Sequence, residues 1–136
     1  MSLEVQVVSP ERILYSGDAT MVVCRTIGGG DIAFLTGHAA FIGALDIHPV
    51  KVVTEGRDQL IAVHGGFVEV SNNRVTLLSD VAELPEQIDQ ARAERAKEAA
   101  EAKLRENPDD PEAKAAFARA EVRILVALAP AAAGSH

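Results

Sequence analysis

The chain has 136 residues, 48% of them hydrophobic, and a formal net charge of −7. That length supports one modest core with a small annex, and the acidic balance excludes nucleic acid as a main partner, because phosphate backbones call for a basic surface. The single cysteine, Cys24, excludes an internal disulfide; within the apolar run Met21-Val22-Val23-Cys24 it reads as a small core residue of a protein kept in a reducing compartment.

From the start, Leu3, Val5 and Val7 alternate with Glu4 and Gln6, the period of a half-buried strand. Ser9-Pro10 ends it, and a short strand Arg12 to Tyr15 is expected to close at Ser16-Gly17-Asp18. Further strands are expected at Thr20 to Arg25, Ile32 to Leu35, Phe41 to Leu45, Val50 to Val53 and Leu60 to Val63, separated by Gly-rich or polar turns. Phe67 to Val70 and Val75 to Leu78 form a hairpin across Asn72-Asn73, residue types that tolerate the left-handed backbone of tight turns. Many short strands at close spacing point to an antiparallel sandwich or barrel. From Leu84 the text changes to Ala, Glu, Arg and Lys, with one break at Asn107-Pro108-Asp109-Asp110-Pro111. Pro85 suits the first turn of a helix that runs to about Arg105. Asp110 as N-cap and Pro111 at the next position start a second helix, which stops before Pro130. Its apolar stripe is Ala113, Phe117, Ala120, Ile124 and Leu128, whereas the first helix offers only Ile88, Ala91, Ala99 and Leu104. Alanine favours helix but buries little surface, so the pair reads as intrinsically helical and lightly attached. The fold class is thus β + α: an antiparallel β-sandwich over residues 1–84, a two-helix hairpin over 85–129 and a disordered tail over 130–136.

No segment approaches the ~20 apolar residues of a membrane span, and Met1 to Val5 lacks the basic start of a secretory signal. The expectation is a cytosolic protein, or one held on the cytosolic membrane face by a partner, without direct membrane insertion. Gly28-Gly29-Gly30 is followed by neither Lys-Ser/Thr nor a helix, so it is no phosphate loop. His38, His48 and His64 stand in separate segments without metal-ligand spacing. No nucleophile–base pattern stands out, so neither a catalytic residue, a metal nor a catalytic cofactor is expected. In the helical half, Arg92 and Arg95 share one helix face and Arg119 and Arg123 another. Closing the hairpin about Pro108 brings Arg92 opposite Leu125 and Arg119 opposite Glu98. Two readings stand side by side: solvated faces with ordinary pairs such as Glu101–Arg105, or a cluster of guanidiniums awaiting an anion, with Asp89 the nearest neutralising acid.

On these residues the chain resembles the ε subunit of bacterial F-type proton ATP synthases, over nearly its whole length. Val7-Val8-Ser9-Pro10-Glu11 looks like that family's first strand and turn. Gly30-Asp31-Ile32-Ala33-Phe34-Leu35-Thr36-Gly37-His38 is similar to its Gly-Glu-x-Gly-x-Leu-Pro-Gly-His segment, and Gly65 to Val70 followed by Val75 to Leu78 is the most specific piece. Ala33, Thr36 and Ala40 depart from the family's Gly, Pro and Pro. The resemblance implies a non-catalytic rotor subunit on the cytoplasmic face of the plasma membrane. Its sandwich would bind the γ subunit and the c-ring, with Ser9 and His38 near γ and Asp31 facing the ring. Its helices would either fold on the sandwich or extend along γ into the α/β catalytic head and block ATP hydrolysis, a two-state element. Some bacterial members bind ATP as a regulatory ligand in the folded hairpin through an Ile/Leu-Asp-x-x-Arg-Ala motif, which Ile88-Asp89-Gln90-Ala91-Arg92-Ala93 matches in full. Glu83, Arg119 and Arg123 match further positions used there, while Ala99 stands where an additional arginine is found. The alternative function is a free-standing β-sandwich binding module with a helical dimerisation tail, which a stable homodimer that does not co-purify with γ would favour.

Overall fold

A computed structural model describes residues 2–129; the expected tail, 130–136, lies outside them. The strands are β1 (Leu3–Val8), β2 (Ile13–Ala19), β3 (Met21–Thr26), β4 (Gly30–Leu35), β5 (Phe41–Thr54), β6 (Arg57–Ser71), β7 (Arg74–Leu78) and β8 (Ala82–Glu83). A 3₁₀ turn at Pro85–Gln87 leads to α1 (Gln90–Glu106) and α2 (Pro111–Leu128). Strand neighbours run β2-β1-β7-β6-β5-β3-β4, with β8 also on β6. All pairings are antiparallel except β1 with β7, which is parallel. The sandwich core is built from the inward sets of these strands, among them Leu3, Val5, Val7, Val22, Phe34, Val52, Ile61, Val75 and Leu77. Cys24 is part of it, and burial pushes its thiol pKa up to about 11.

Four expected strands are two. Phe41 to Leu45 and Val50 to Val53 belong to the single strand β5, and Leu60 to Val63 and Phe67 to Val70 to β6. The two pair from Phe41↔Val70 to Thr54↔Arg57, with Asp46 and Gly65 left out at the same level. Because one residue drops out of each strand, register is kept while both strands turn over. Inward positions switch from Leu45 to Val50 and Val52 in β5, and from Ile61 and Val63 to Val68 and Val70 in β6. Gly65 and Gly66 absorb the change with φ of 90° and 117°. At Gly66 a Cβ would also collide with the Leu78 carbonyl, so only glycine fits. The switch frees the outer face of the first half of β6, carrying Leu60, Ala62 and His64, to receive the helices.

The β2 strand runs on through Ser16-Gly17-Asp18, which pair with Gln6, Val5 and Glu4; the ladder overrides local turn composition, and the break falls at Thr20. The Asn72-Asn73 turn has φ of 52° and 61°, as a two-residue hairpin loop requires. After β4, the His38 N–H donates to the Leu35 carbonyl at 3.0 Å, with Gly37 at φ 88°. Thr36 thus occupies the turn position that a proline would preorganise, and the turn forms without one.

Pro85 opens the 3₁₀ turn rather than the α-helix. Ile88 and Asp89 interrupt, and α1 starts with Asp89 as N-cap, its carboxylate accepting from the Arg92 N–H at 3.0 Å. Packed against α2, this helix buries Ala93 and Ala100, while Ala91 and Ala99 face solvent. Asp110 caps α2 through the Glu112 and Ala113 N–H groups. Alanines meet between the helices: Ala93 and Ala100 of α1, Ala113 and Ala120 of α2 are all buried. Lys97 reaches across to Glu121 at 3.5 Å and lies over the Phe117 ring. The expected Glu101–Arg105 pair is not among the ion pairs of the described residues. The second stripe is also corrected: Val122 and Val126 are fully covered, whereas Leu128 is exposed. Those two valines pack on Ala62, with Ile47, Leu60 and Ile88 around them, and form a separate small cluster between α2 and the sandwich.

Candidate functional site

Where α1, α2 and β8 converge, a cavity of about 330 Å³ is lined by Glu83, Gln87, Asp89, Arg92, Ala93, Ala96 and Arg123. This is near the lower end of small-molecule pockets, about 300–1,000 Å³. Each wall has a local cause. β8 adds to the edge of β6 through Ala62↔Glu83, which turns Glu83 toward α2. The Gln87 side chain accepts from the Leu84 N–H at 2.9 Å and braces the turn. The Asp89 cap starts α1 at the level that presents Arg92 and Ala96 to the same space.

The acids and bases in this cavity are differently engaged. Arg123 Nε donates to Glu83 Oε1 at 2.8 Å, a half-buried pair. The same carboxylate oxygen accepts from His64 Nε2 at 3.0 Å. Asp89 was the expected neutraliser of Arg92; its carboxylate instead holds the Arg92 backbone. The Arg92 side chain is exposed and, among the described residues, makes no ion pair. A forked guanidinium with unused donors thus stands beside a second one that is only partly used, an arrangement suited to an anion with several oxygens.

Of the residues singled out from the sequence, the structure gathers Glu83, Asp89, Arg92, Ala93 and Arg123. It does not bring Ile88 or Arg119 to the cavity wall. Ile88 packs against Ala62, Val122 and Val126, and Arg119 lies near Glu112 at 3.8 Å. His64, Gln87 and Ala96 were missed. His64 was detectable only as an outward neighbour of Ala62 just before Gly65-Gly66, and the other two carry no chemical signature.

Ser9, Asp31 and His38 are dispersed. Ser9 follows β1 where Val8 pairs with Leu78, and its hydroxyl donates to the Arg12 carbonyl at 3.3 Å. His38 lies toward the other end of β7, since the Gly37 N–H donates to Asn73 Oδ1 at 2.7 Å. Its ring stands edge-on to Phe34 at 4.8 Å. Asp31 is opposite Arg25, whose guanidinium donates to it at 2.8 Å and lowers its pKa. Among the described residues no group of three or more His, Cys, Asp or Glu is arranged to hold a metal, and no helix is long and apolar enough to cross a membrane.

Two family models match end to end: ATP synthase, Delta/Epsilon chain, beta-sandwich domain over residues 2–85, and the long alpha-helix domain of the same chain over residues 86–127. The chain belongs to the ATP synthase delta/epsilon-chain family. It is 39% identical to the ATP synthase epsilon chain of Shouchella clausii over 127 residues, covering 93% of this chain and 95% of that one. With the epsilon chain of Streptomyces griseus it shares 42% identity over 123 residues, 90% and 92% of the two chains. Among solved structures, a chain of the Euglena gracilis mitochondrial ATP synthase superposes with a TM-score of 0.77 at 22% identity, covering 94% of this chain and 82% of that one, which shows the shared fold. Membership makes this an epsilon-type, non-catalytic subunit of the ATP synthase central stalk. It displaces the free-standing binding module.

Proposed function

We propose that the sandwich of this epsilon-type chain docks on the γ subunit and the c-ring at the cytoplasmic face of the membrane, and that its hairpin regulates ATP hydrolysis by the α/β head. In this reading Ser9 and His38 belong to the γ side and Asp31, already paired with Arg25, to the ring side. The domains act separately: residues 1–84 bind the rotor and 85–129 regulate. The thin seam supports this. Only Ala62, Val122 and Val126 are fully buried there, so α2 can leave without disturbing the sandwich core. The folded hairpin binds ATP in the cavity described above. Arg92 and Arg123 meet the phosphates, Arg119 approaches from the next turn, Asp89 and Ala93 set the Arg92 backbone, Glu83 holds Arg123, and Ile88 braces the arginines from behind the wall, in the seam with α2. The observation that carries it is the Arg92 guanidinium, without an ion pair among the described residues, in one cavity with the half-engaged Arg123.

Calorimetry with millimolar ATP tests it. Arg92→Ala removes a charge-assisted contact of about 1.5–3 kcal/mol and weakens binding roughly ten- to hundredfold. No heat with the wild type, or identical isotherms for both proteins, overturns the nucleotide reading.

A further inference from the structure

Among the described residues, His64 is the one histidine placed at the junction of the two domains. Its side chain is 2% exposed. On β6 it lies on the outward face with Ala62, opposite Ile47 of β5. Its Nε2 bonds Glu83 Oε1, the oxygen that also receives Arg123 Nε. A carboxylate only accepts, so Nε2 carries the hydrogen and Nδ1 holds a lone pair. That Nδ1 is buried and has no hydrogen-bond partner. Three residues from β6, β8 and α2 thus form one relay across the seam.

We propose that this relay is an acid-operated release: proton uptake by His64 favours detachment of the hairpin from the sandwich. With the hairpin docked, a proton on Nδ1 would create a buried donor without an acceptor, next to cationic Arg123 with Arg119 beyond. The only acid bonded to the ring, Glu83, is shared with Arg123. Asp80 lines the groove on the far side of His64, together with Ser9 and Gly66. The flanking His48 of β5 feels Arg25, Asp31 and Asp46 instead, and Asp46 accepts from the Ile47 N–H and faces Arg25. Burial, followed by the arginine charges, accordingly lowers the pKa of His64 despite its bond to Glu83. Detachment removes Arg123 and Arg119, frees Glu83 for the imidazolium and opens this face of β6 to water. All three changes raise the affinity of His64 for a proton.

The sign follows. The docked pKa lies below the detached one, so docking is strongest above the ordinary histidine value of about 6.5 and weakens as pH falls from there to the docked pKa. The loss is up to about tenfold per pH unit. The inference rests on the detachable hairpin proposed above, but it is read on the isolated chain without nucleotide, so it fails separately from the ATP site.

The test is an NMR titration of the full chain from about pH 8 to about pH 5.5, a range in which an ordinary glutamate stays ionised. Methyl signals of Ile47, Leu60, Val122 and Val126, which meet only in the docked form, should move toward detached values as pH falls. His64→Gln keeps a donor for Glu83 but cannot ionise, and should abolish that dependence. Should His64→Gln fail to fold, the wild-type imidazole signals decide: His64 should titrate below the ordinary value, and Arg123→Gln should raise its pKa. A His64 that titrates at or above the ordinary value, pH-invariant seam signals in the wild type, or an unchanged pH dependence in a folded His64→Gln overturns the proposal.

Discussion

Val126→Ala isolates the seam from the rest of the molecule. Val126 is fully buried, in a cluster whose other fully covered members are Val122 and Ala62. The substitution removes two methyl-sized groups at about 0.8 kcal/mol each. A partly relaxed cavity adds to this, for a loss of about 2 kcal/mol. None of that loss falls on the sandwich core, which is closed by its own strands. It falls on the docking equilibrium, shifting it roughly thirtyfold toward the detached hairpin. Both helices keep their caps at Asp89 and Asp110, so far-ultraviolet circular dichroism at low temperature should change little. The assay follows the methyl signals of Ile47 and Leu60, which should lose their docked shifts, alongside the main thermal transition, which should stay put. Val70→Ala in the sandwich core is the control and should lower that transition. If Val126→Ala lowers the main transition as much as Val70→Ala does, hairpin and sandwich form one cooperative unit and the detachable reading is wrong.

Other consequences can be checked directly. Gly66→Ala forces a side chain onto the Leu78 carbonyl at φ 117° and should cost at least about 3 kcal/mol, lowering the urea midpoint of the sandwich; an unchanged midpoint would mean the β5–β6 crossover is misjudged. A fragment of residues 1–84 should fold and bind γ in a pull-down, and removing residues from Pro85 onward should raise ATP hydrolysis by the assembled complex while leaving assembly intact; equal rates with and without the hairpin count against regulation. Cys24, buried and with its pKa raised to about 11, should resist alkylation at pH 8 until the sandwich is unfolded in denaturant; rapid labelling of the native chain would show that the core opens.

Strands and caps were legible because their causes are local. Alternation marks Leu3 to Val7, paired asparagines mark the β6–β7 turn, and Asp110-Pro111 marks the start of α2. What escaped depends on partners distant in sequence. The continuity of β5 and β6 was hidden because their inward set changes parity at Asp46 and Gly65, and a parity change within a strand reads locally as a break. The true start of α1 was hidden for a related reason. Pro85 and Asp89 are both good starters, and only the brace from Gln87 to Leu84 and the packing of Ile88 against α2 decide between a 3₁₀ turn and an α-helix. Packing against α2 likewise buries Ala93 and Ala100 where the sequence alone suggested Ala91 and Ala99.

The face of α1 that carries Arg92 also bears on the candidate site. Ala99 lies two turns beyond Arg92 on the same face of α1 and outside the cavity wall, so an arginine at that position would have to reach back along the helix. The cavity wall one turn beyond Arg92 is Ala96, whose small side chain leaves room for a ligand. What matters is how Glu83 divides itself: the more firmly it holds Arg123 and His64, the fewer donors Arg123 offers an anion. Glu83 bonds both Arg123 and His64, so under the proposed reading ligand affinity, hairpin docking and the protonation of His64 are linked, and a change in any of them would shift the other two.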